Sequence, residues 1–315
     1  RVMARKTLIE QRERDALGVD QFVPDPPTSM RLAQALSGVD TVTAREDTAQ
    51  PVGSDLLAGL HVLLVEDSEL NQEVAAEMMG QSGAVVTITS NAAEALRQIE
   101  AHPKRFGVVL MDLQMPGMDG TTATRVIRET RPADDLPIVA FTAHALSEER
   151  DRALAAGMND YLIKPVTRVQ LIQALRKWTP PAGPDTPVSG EAEEQIALPA
   201  SNEPLDLTTA IRNLGLPEPV ILSLVGKFRV QYADTREQVT AALDAGDTGT
   251  AAGLVHKVRG SAGYLQASEL YEAAGLLEEE LQNGAPVSAL PHLHRAFDAA
   301  LAEALDAAAA LEAGA

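Results

Sequence analysis

Five short apolar runs punctuate the middle of the chain: His61–Val65 (HVLLV), 84–88 (AVVTI), Val108–Met111 (VVLM), 138–141 (IVAF) and 161–163 (YLI). Each is too short for a helix and apolar at successive positions, the pattern of a strand buried on both faces. Amphipathic stretches such as 71–79 and 92–99 lie between them and predict helices. Strand–helix alternation predicts a parallel five-stranded sheet covered on both sides, a doubly wound α/β domain over 59–178. From 205 the period changes. The segments 205–214, 220–243, 248–265, 267–282 and 290–311 all carry helical spacing and are joined by short connections such as GLPEP, DAGD and NGAP. An antiparallel helix bundle over 205–313 is expected.

Polar stretches separate these blocks. Residues 37–58 lack apolar periodicity, and 179–204 are rich in Pro and acid, so both read as linkers. The block 1–36 is informative through an internal match. GVDQFVPDPPTSMRLAQAL (18–36) aligns with GMNDYLIKPVTRVQLIQAL (157–175) at an offset of 157 − 18 = 139, with 7 of 19 positions identical. Residues 1–36 therefore read as the tail of an earlier copy of the middle domain. The chain opens on Arg1 rather than Met, which reads as a piece of a longer protein.

Composition narrows the chemistry. With 26 Lys+Arg against 45 Asp+Glu, the net charge is −19. This argues against binding nucleic acid or anionic membrane, both of which call for basic surface. No cysteine is present, so disulfides, thiolate catalysis and cysteine-ligated metals are excluded. No apolar run is long enough to span a bilayer and no signal peptide opens the chain. A cytoplasmic segment is expected, of a protein that as a whole can be membrane-anchored. No ATP-binding glycine boxes or kinase motifs occur.

In open α/β sheets, ligands collect at the carboxyl ends of the strands. There the sequence puts Glu66 and Asp67 after the first run, Asp112 after the third, Thr142 after the fourth and Lys164 after the fifth. Three converging carboxylates need a cation, and hard oxygen donors select Mg²⁺. Such a site can hold a phosphoryl group, with Lys164 as a point charge, Thr142 as a hydroxyl donor and a carboxylate, best Asp112, as nucleophile. Taken singly, each residue has a plain structural explanation; the joint occurrence at four strand ends is what is specific.

The motifs VEDSELN (65–71), LMDLQMPGMDG (110–120), FTAHA (141–145) and DYLIKP (160–165) resemble those of a response-regulator receiver domain, a flavodoxin-like fold. The resemblance implies that Asp112 accepts phosphate and that Glu66, Asp67, Asp112 and the backbone carbonyl of Gln114 hold Mg²⁺. It also implies that Thr142 and Lys164 contact the phosphoryl group, that Thr142 and Tyr161 form the switch, and that the bond before Pro165 is cis. In the N-terminal block the same alignment puts Asp25 where Lys164 stands and Met3 near Thr142, so that copy reads as a degenerate, non-phosphorylated receiver.

In the helical block one helix carries two faces. Ala251, Val255, Val258, Ala262 and Leu265 form the core stripe; His256, Arg259, Gly260 and Gly263 lie on another face. Two glycines inside a helix cost ~1 kcal/mol each relative to Ala, so their place beside the histidine suggests that bulk would obstruct a partner there. Arg259 is suited to phosphoryl oxygens. His61, His102, His144, His292 and His294 lack such a setting. HKVRGSAGYLQA (256–267) resembles the histidine phosphotransfer (HPt) motif, with Arg259 for the usual Lys and Tyr264 and Gln266 for the usual Asn and Gly. The resemblance implies that His256 is phosphorylated.

Together these features read as the C-terminal part of a hybrid sensor histidine kinase. Phosphate would pass from an upstream kinase histidine to Asp112, then to His256 and on to a separate response regulator. Two other readings compete: a docking module whose receiver does not cycle, and a nucleotide- or flavin-binding enzyme on the same fold. The second is disfavoured because EDSELN offers carboxylates where a phosphate cradle needs Gly, Ser or Thr.

Overall fold

The computed structural model describes residues 2–4, 21–23, 55–143, 147–178 and 203–314. The chain divides into two compact units, Arg1–Gln50 and Pro51–Ala315. In the first, β1 (Val2–Ala4) and β2 (Gln21–Val23) pair in parallel. The linker expected at 179–204 lies mostly outside the described residues.

The second unit holds both expected domains. Its sheet comprises β3 (His61–Val65), β4 (Val85–Thr89), β5 (Val108–Met111), β6 (Ile138–Thr142) and β7 (Asp160–Ile163), all parallel, in the order β4-β3-β5-β6-β7. This is the doubly wound flavodoxin-like order, which reverses direction between β3 and β5 and opens a crevice there. The three central strands are buried apart from His61 at the start of β3, as continuous apolar runs require. The two edge strands depart from the expectation of burial: β4 exposes Val85 and Ile88, and β7 is half-buried along its length. An edge strand has a neighbour on one side only, so apolar content overstates its burial.

Helices α1 (Glu69–Gly80), α2 (Ala92–Ala101), α3 (Gly120–Thr130), α4 (Ser147–Ala155) and α5 (Arg168–Lys177) cover the sheet. Their starts are fixed by side chains that take up orphan backbone amides. Asn91 accepts from Glu94 N, Asp119 from Thr122 N, and Thr167 forms a reciprocal capping box with Gln170. The domain begins earlier than residue 59: Leu57 is buried, and its amide donates to Ser82 O (2.7 Å).

The helical part comprises α6 (Leu207–Leu214), α7 (Glu218–Tyr232), α8 (Thr235–Asp244), α9 (Thr248–Tyr264), α10 (Ser268–Gln282) and α11 (Pro291–Gly314). The single helix expected over 220–243 is two helices. Asp234 leaves the helical region at φ −101°, ψ 6°, consistent with its poor helix propensity. One apolar core runs through both domains, from Leu64, Val74 and Phe141 under the sheet to Phe228, Val258 and Phe297 in the bundle.

Candidate functional site

Sheet topology brings the strand ends together. Glu66 and Asp67 follow β3 and Asp112 follows β5, on the two sides of the crevice; each offers a carboxylate oxygen within 4.8 Å of the others. Asp112 N donates to Val65 O (2.9 Å), which ties the two strand ends. Behind Asp112 sits Gly120, where a Cβ would collide with the Asp112 carbonyl oxygen, so only glycine lets α3 start there. Lys164 leaves β7 and reaches back to bond both Glu66 and Asp112, the latter at 2.6 Å. All three side chains are buried. The Lys164–Pro165 bond is cis, as expected.

Two carboxylates sharing one buried ammonium cannot stay equivalent. Burial pushes Glu66 up to about 7, against the pull of Lys164, and the Asp112 charge adds to the push. Asp112 is held below the usual carboxylate value: Lys164, the His256 charge and the Gln114 amide (3.0 Å) together outweigh its burial. Asp112 is therefore the member that keeps its negative charge. Thr142, at the end of β6, is buried beside this cluster in sequence register with Ile163 of β7. Tyr161 pairs with Ala140 and packs against the apolar cluster that includes Ala140, Ala153 and Met158; burial, then the Glu149 charge and to a lesser degree that of Asp112, raise its phenol pKa.

The histidine helix α9 lies across this site. Its core stripe, Ala251, Val255, Val258, Ala262 and Leu265, is fully buried within the bundle. The opposite face is covered too, because the α/β domain packs on it; His256 is only 7% exposed. The glycines sit where that packing is closest. A Cβ on Gly260 would come within 2.8 Å of Asn71 Nδ2, and one on Gly263 within 3.1 Å of Pro165. Ser261 donates to Asn71 Oδ1 (3.2 Å), Lys257 pairs with Asp67 (2.9 Å) and Lys227 with Glu73 (2.6 Å).

His256 Nδ1 lies 2.7 Å from Glu278 Oε1, a fully buried carboxylate on α10. A carboxylate only accepts, so Nδ1 carries a proton, and in the neutral imidazole the lone pair is then on Nε2. Burial lowers the His256 pKa, but the Glu278 bond and charge, with Asp112, raise it above its ordinary value. Arg259, expected to face phosphoryl oxygens, bonds Glu278 (3.1 Å) and lies over the Tyr271 ring. Sequence reasoning missed Glu278, Asn71 and Lys257. Glu278 had a usable signal. An antiparallel hairpin turning near Gln266 sets residues equally far from the turn side by side; His256 is ten before it and Glu278 twelve after.

A family model of the response regulator receiver domain matches residues 62–176, and one of the Hpt domain matches 223–311. The chain therefore joins a receiver domain to an Hpt domain. It is 32% identical to the sensor histidine kinase GacS of Pseudomonas protegens, over 90% of this chain and 31% of that one. It is 27% identical to the signal transduction histidine-protein kinase BarA of Escherichia coli K12, over 87% and 29%. The chain thus spans about a third of the length of these relatives. Among solved structures, the receiver domain of sensor histidine kinase PA1611 from Pseudomonas aeruginosa PAO1, crystallised with magnesium in its active-site cleft, is 42% identical over 38% of this chain and 98% of that one, with a TM-score of 0.35. No described helix is long and apolar enough to cross a membrane.

Proposed function

We propose that the phosphoryl group passes from Asp112 to Nε2 of His256 within one chain. The observation that carries this is the docking of α9 over the acidic crevice, where Gly260 and Ser261 meet Asn71, Gly263 meets Pro165 and Lys257 pairs with Asp67. In the transfer the acyl-phosphate Oδ–P bond breaks, the Nε2–P bond forms and the Asp112 carboxylate is the leaving group. Glu278 holds the Nδ1 proton and stabilises the charge that the imidazole gains. Lys164 neutralises the released carboxylate, and the Thr142 hydroxyl is suited to a phosphoryl oxygen. Gly260 and Gly263 are the contact face that lets the receiver approach.

Mg²⁺ fits the donor set: Glu66, Asp67 and Asp112 are hard oxygen donors with matched spacing, and the Gln114 carbonyl is a further candidate ligand. When bound, it supplies positive charge to phosphoryl oxygens. By likeness to the relatives, the chain serves a hybrid sensor histidine kinase on the cytoplasmic side. A kinase histidine feeds Asp112, a separate response regulator receives from His256, and nucleic acid is not a partner.

We also read the N-terminal block as the tail of a degenerate receiver. Its parallel strands pair at a separation of 21 − 2 = 19 residues, close to the 160 − 139 = 21 of β6 and β7, which supports this. Met3 pairs with Phe22 as Ala140 pairs with Tyr161, so Met3 matches Ala140 rather than Thr142.

The test is phosphate mapping with Mg²⁺ and a small acyl-phosphate donor. Wild type should carry alkali-labile aspartyl and acid-labile histidyl label. Asp112→Ala should lose both and His256→Ala only the second. A histidyl label that persists in Asp112→Ala refutes the route, and absence of label in wild type favours a docking module.

A further inference from the structure

Lys257 follows the histidine directly, yet its partner lies in the other domain. Its ammonium bonds Asp67 at 2.9 Å, and the Asp67 side chain is only 7% exposed. Asp67 is the one member of the acidic cluster that Lys164 does not bond; Lys164 takes Glu66 and Asp112. With the bundle docked, three carboxylates face two ammonium groups, one from each domain. We infer that Lys257 acts as a tethered cation on the metal site: docking of the Hpt domain and binding of a divalent ion compete for the Asp67 carboxylate.

This deepens the proposed function and rests on its assignment of Asp67 to the metal. The competition follows from charge and reach alone. A carboxylate with its lone pairs turned to an ammonium has less to offer a second cation, and the local field that attracts that cation is already reduced by two charges. Linkage makes the effect reciprocal: whatever factor Lys257 takes from metal affinity, the metal takes from docking. Lys227–Glu73 provides the contrast. It joins the same two domains, but its side chains are 53% and 37% exposed and Glu73 lies outside the acidic cluster. A receiver that loads metal is thereby loosened from its own histidine domain, and one that gives metal up is clasped by it.

The measurement is Mg²⁺ titration by calorimetry on the whole chain, without phosphodonor, for wild type, Lys257→Gln and Lys227→Gln. Lys257→Gln should bind Mg²⁺ about five- to tenfold more tightly, within the usual range of coupling between sites. Lys227→Gln, which weakens docking without touching Asp67, should change affinity much less. In parallel, Mg²⁺ should raise hydrogen exchange along α9 in wild type and less in Lys257→Gln. Unchanged or weaker Mg²⁺ binding in Lys257→Gln overturns the inference, as does an equal gain in both variants. The relay stands or falls separately, on the aspartyl and histidyl labels.

Discussion

The receiver crevice and the histidine helix each present a group suited to carry phosphate, and they are assembled in opposite ways. The crevice draws on three strand ends and is held by a buried ammonium shared between two carboxylates. The histidine stands on one helix and is held by one buried carboxylate from its neighbour. Charge is inverted as well. A cation keeps Asp112 ionised, whereas an anion keeps a proton on His256. The first arrangement makes a good leaving carboxylate and the second a directed imidazole. Each buried charge is bearable only because its partner is buried with it.

Removing the cation should give the largest effect. Lys164→Met leaves Glu66 and Asp112 facing each other in the crevice without compensation. Loss of one partner from a buried ion pair costs about 3–5 kcal/mol, so the urea midpoint should fall steeply at neutral pH. Because Lys164 is what pulls Glu66 down against its burial, Glu66 should take up its proton at higher pH in the variant than in wild type, so the loss should be greatest at alkaline pH and shrink as pH falls. A midpoint equal to wild type would show that Lys164 contributes no net stability.

A smaller effect should isolate the contact between the two sites. Gly260→Ala improves helix propensity by ~1 kcal/mol, so the bundle should fold. Its Cβ would press on the Asn71 amide, which is not free to swing away because Glu66 accepts from it at 3.0 Å. Histidyl labelling should slow about tenfold, equivalent to ~1.4 kcal/mol, while aspartyl labelling stays unchanged. Equal slowing of both labels would mean that the methyl disturbs the receiver itself.

The mildest change concerns the proton. The folded His256 pKa lies above 6.5, so this histidine stabilises the fold below that pH, and the contribution is lost as pH rises through the folded value. Glu278→Gln should lower the His256 pKa in an NMR titration and remove that loss of stability above pH 6.5. An unmoved His256 pKa would assign the shift to Asp112 across the interface instead.

Much of this was legible in the chain. Short continuous apolar runs alternating with amphipathic helices read as strands of one parallel sheet, and carboxylates, Thr and Lys at their ends must converge because parallel strands all finish on one side. Asp112, Glu66, Asp67 and Lys164 were therefore found from order alone. His256 was found through the glycines beside it, since helix glycines are costly without a reason. Edge exposure of β4 and the break at Asp234 were not legible, because hydropathy records what a residue tolerates and not how many neighbours it meets.

The sequence by itself determined the two folds, the acidic crevice and the histidine face, all of which follow from local periodicity and the ends of elements. Only the tertiary structure decided which of the glutamates of LEEELQ meets the imidazole, that Arg259 joins Glu278, and that Lys257 reaches Asp67. Those pairings join residues on different helices or in different domains. They depend on how packed elements are turned toward each other, which is set by the shared core and not written in the spacing along one element.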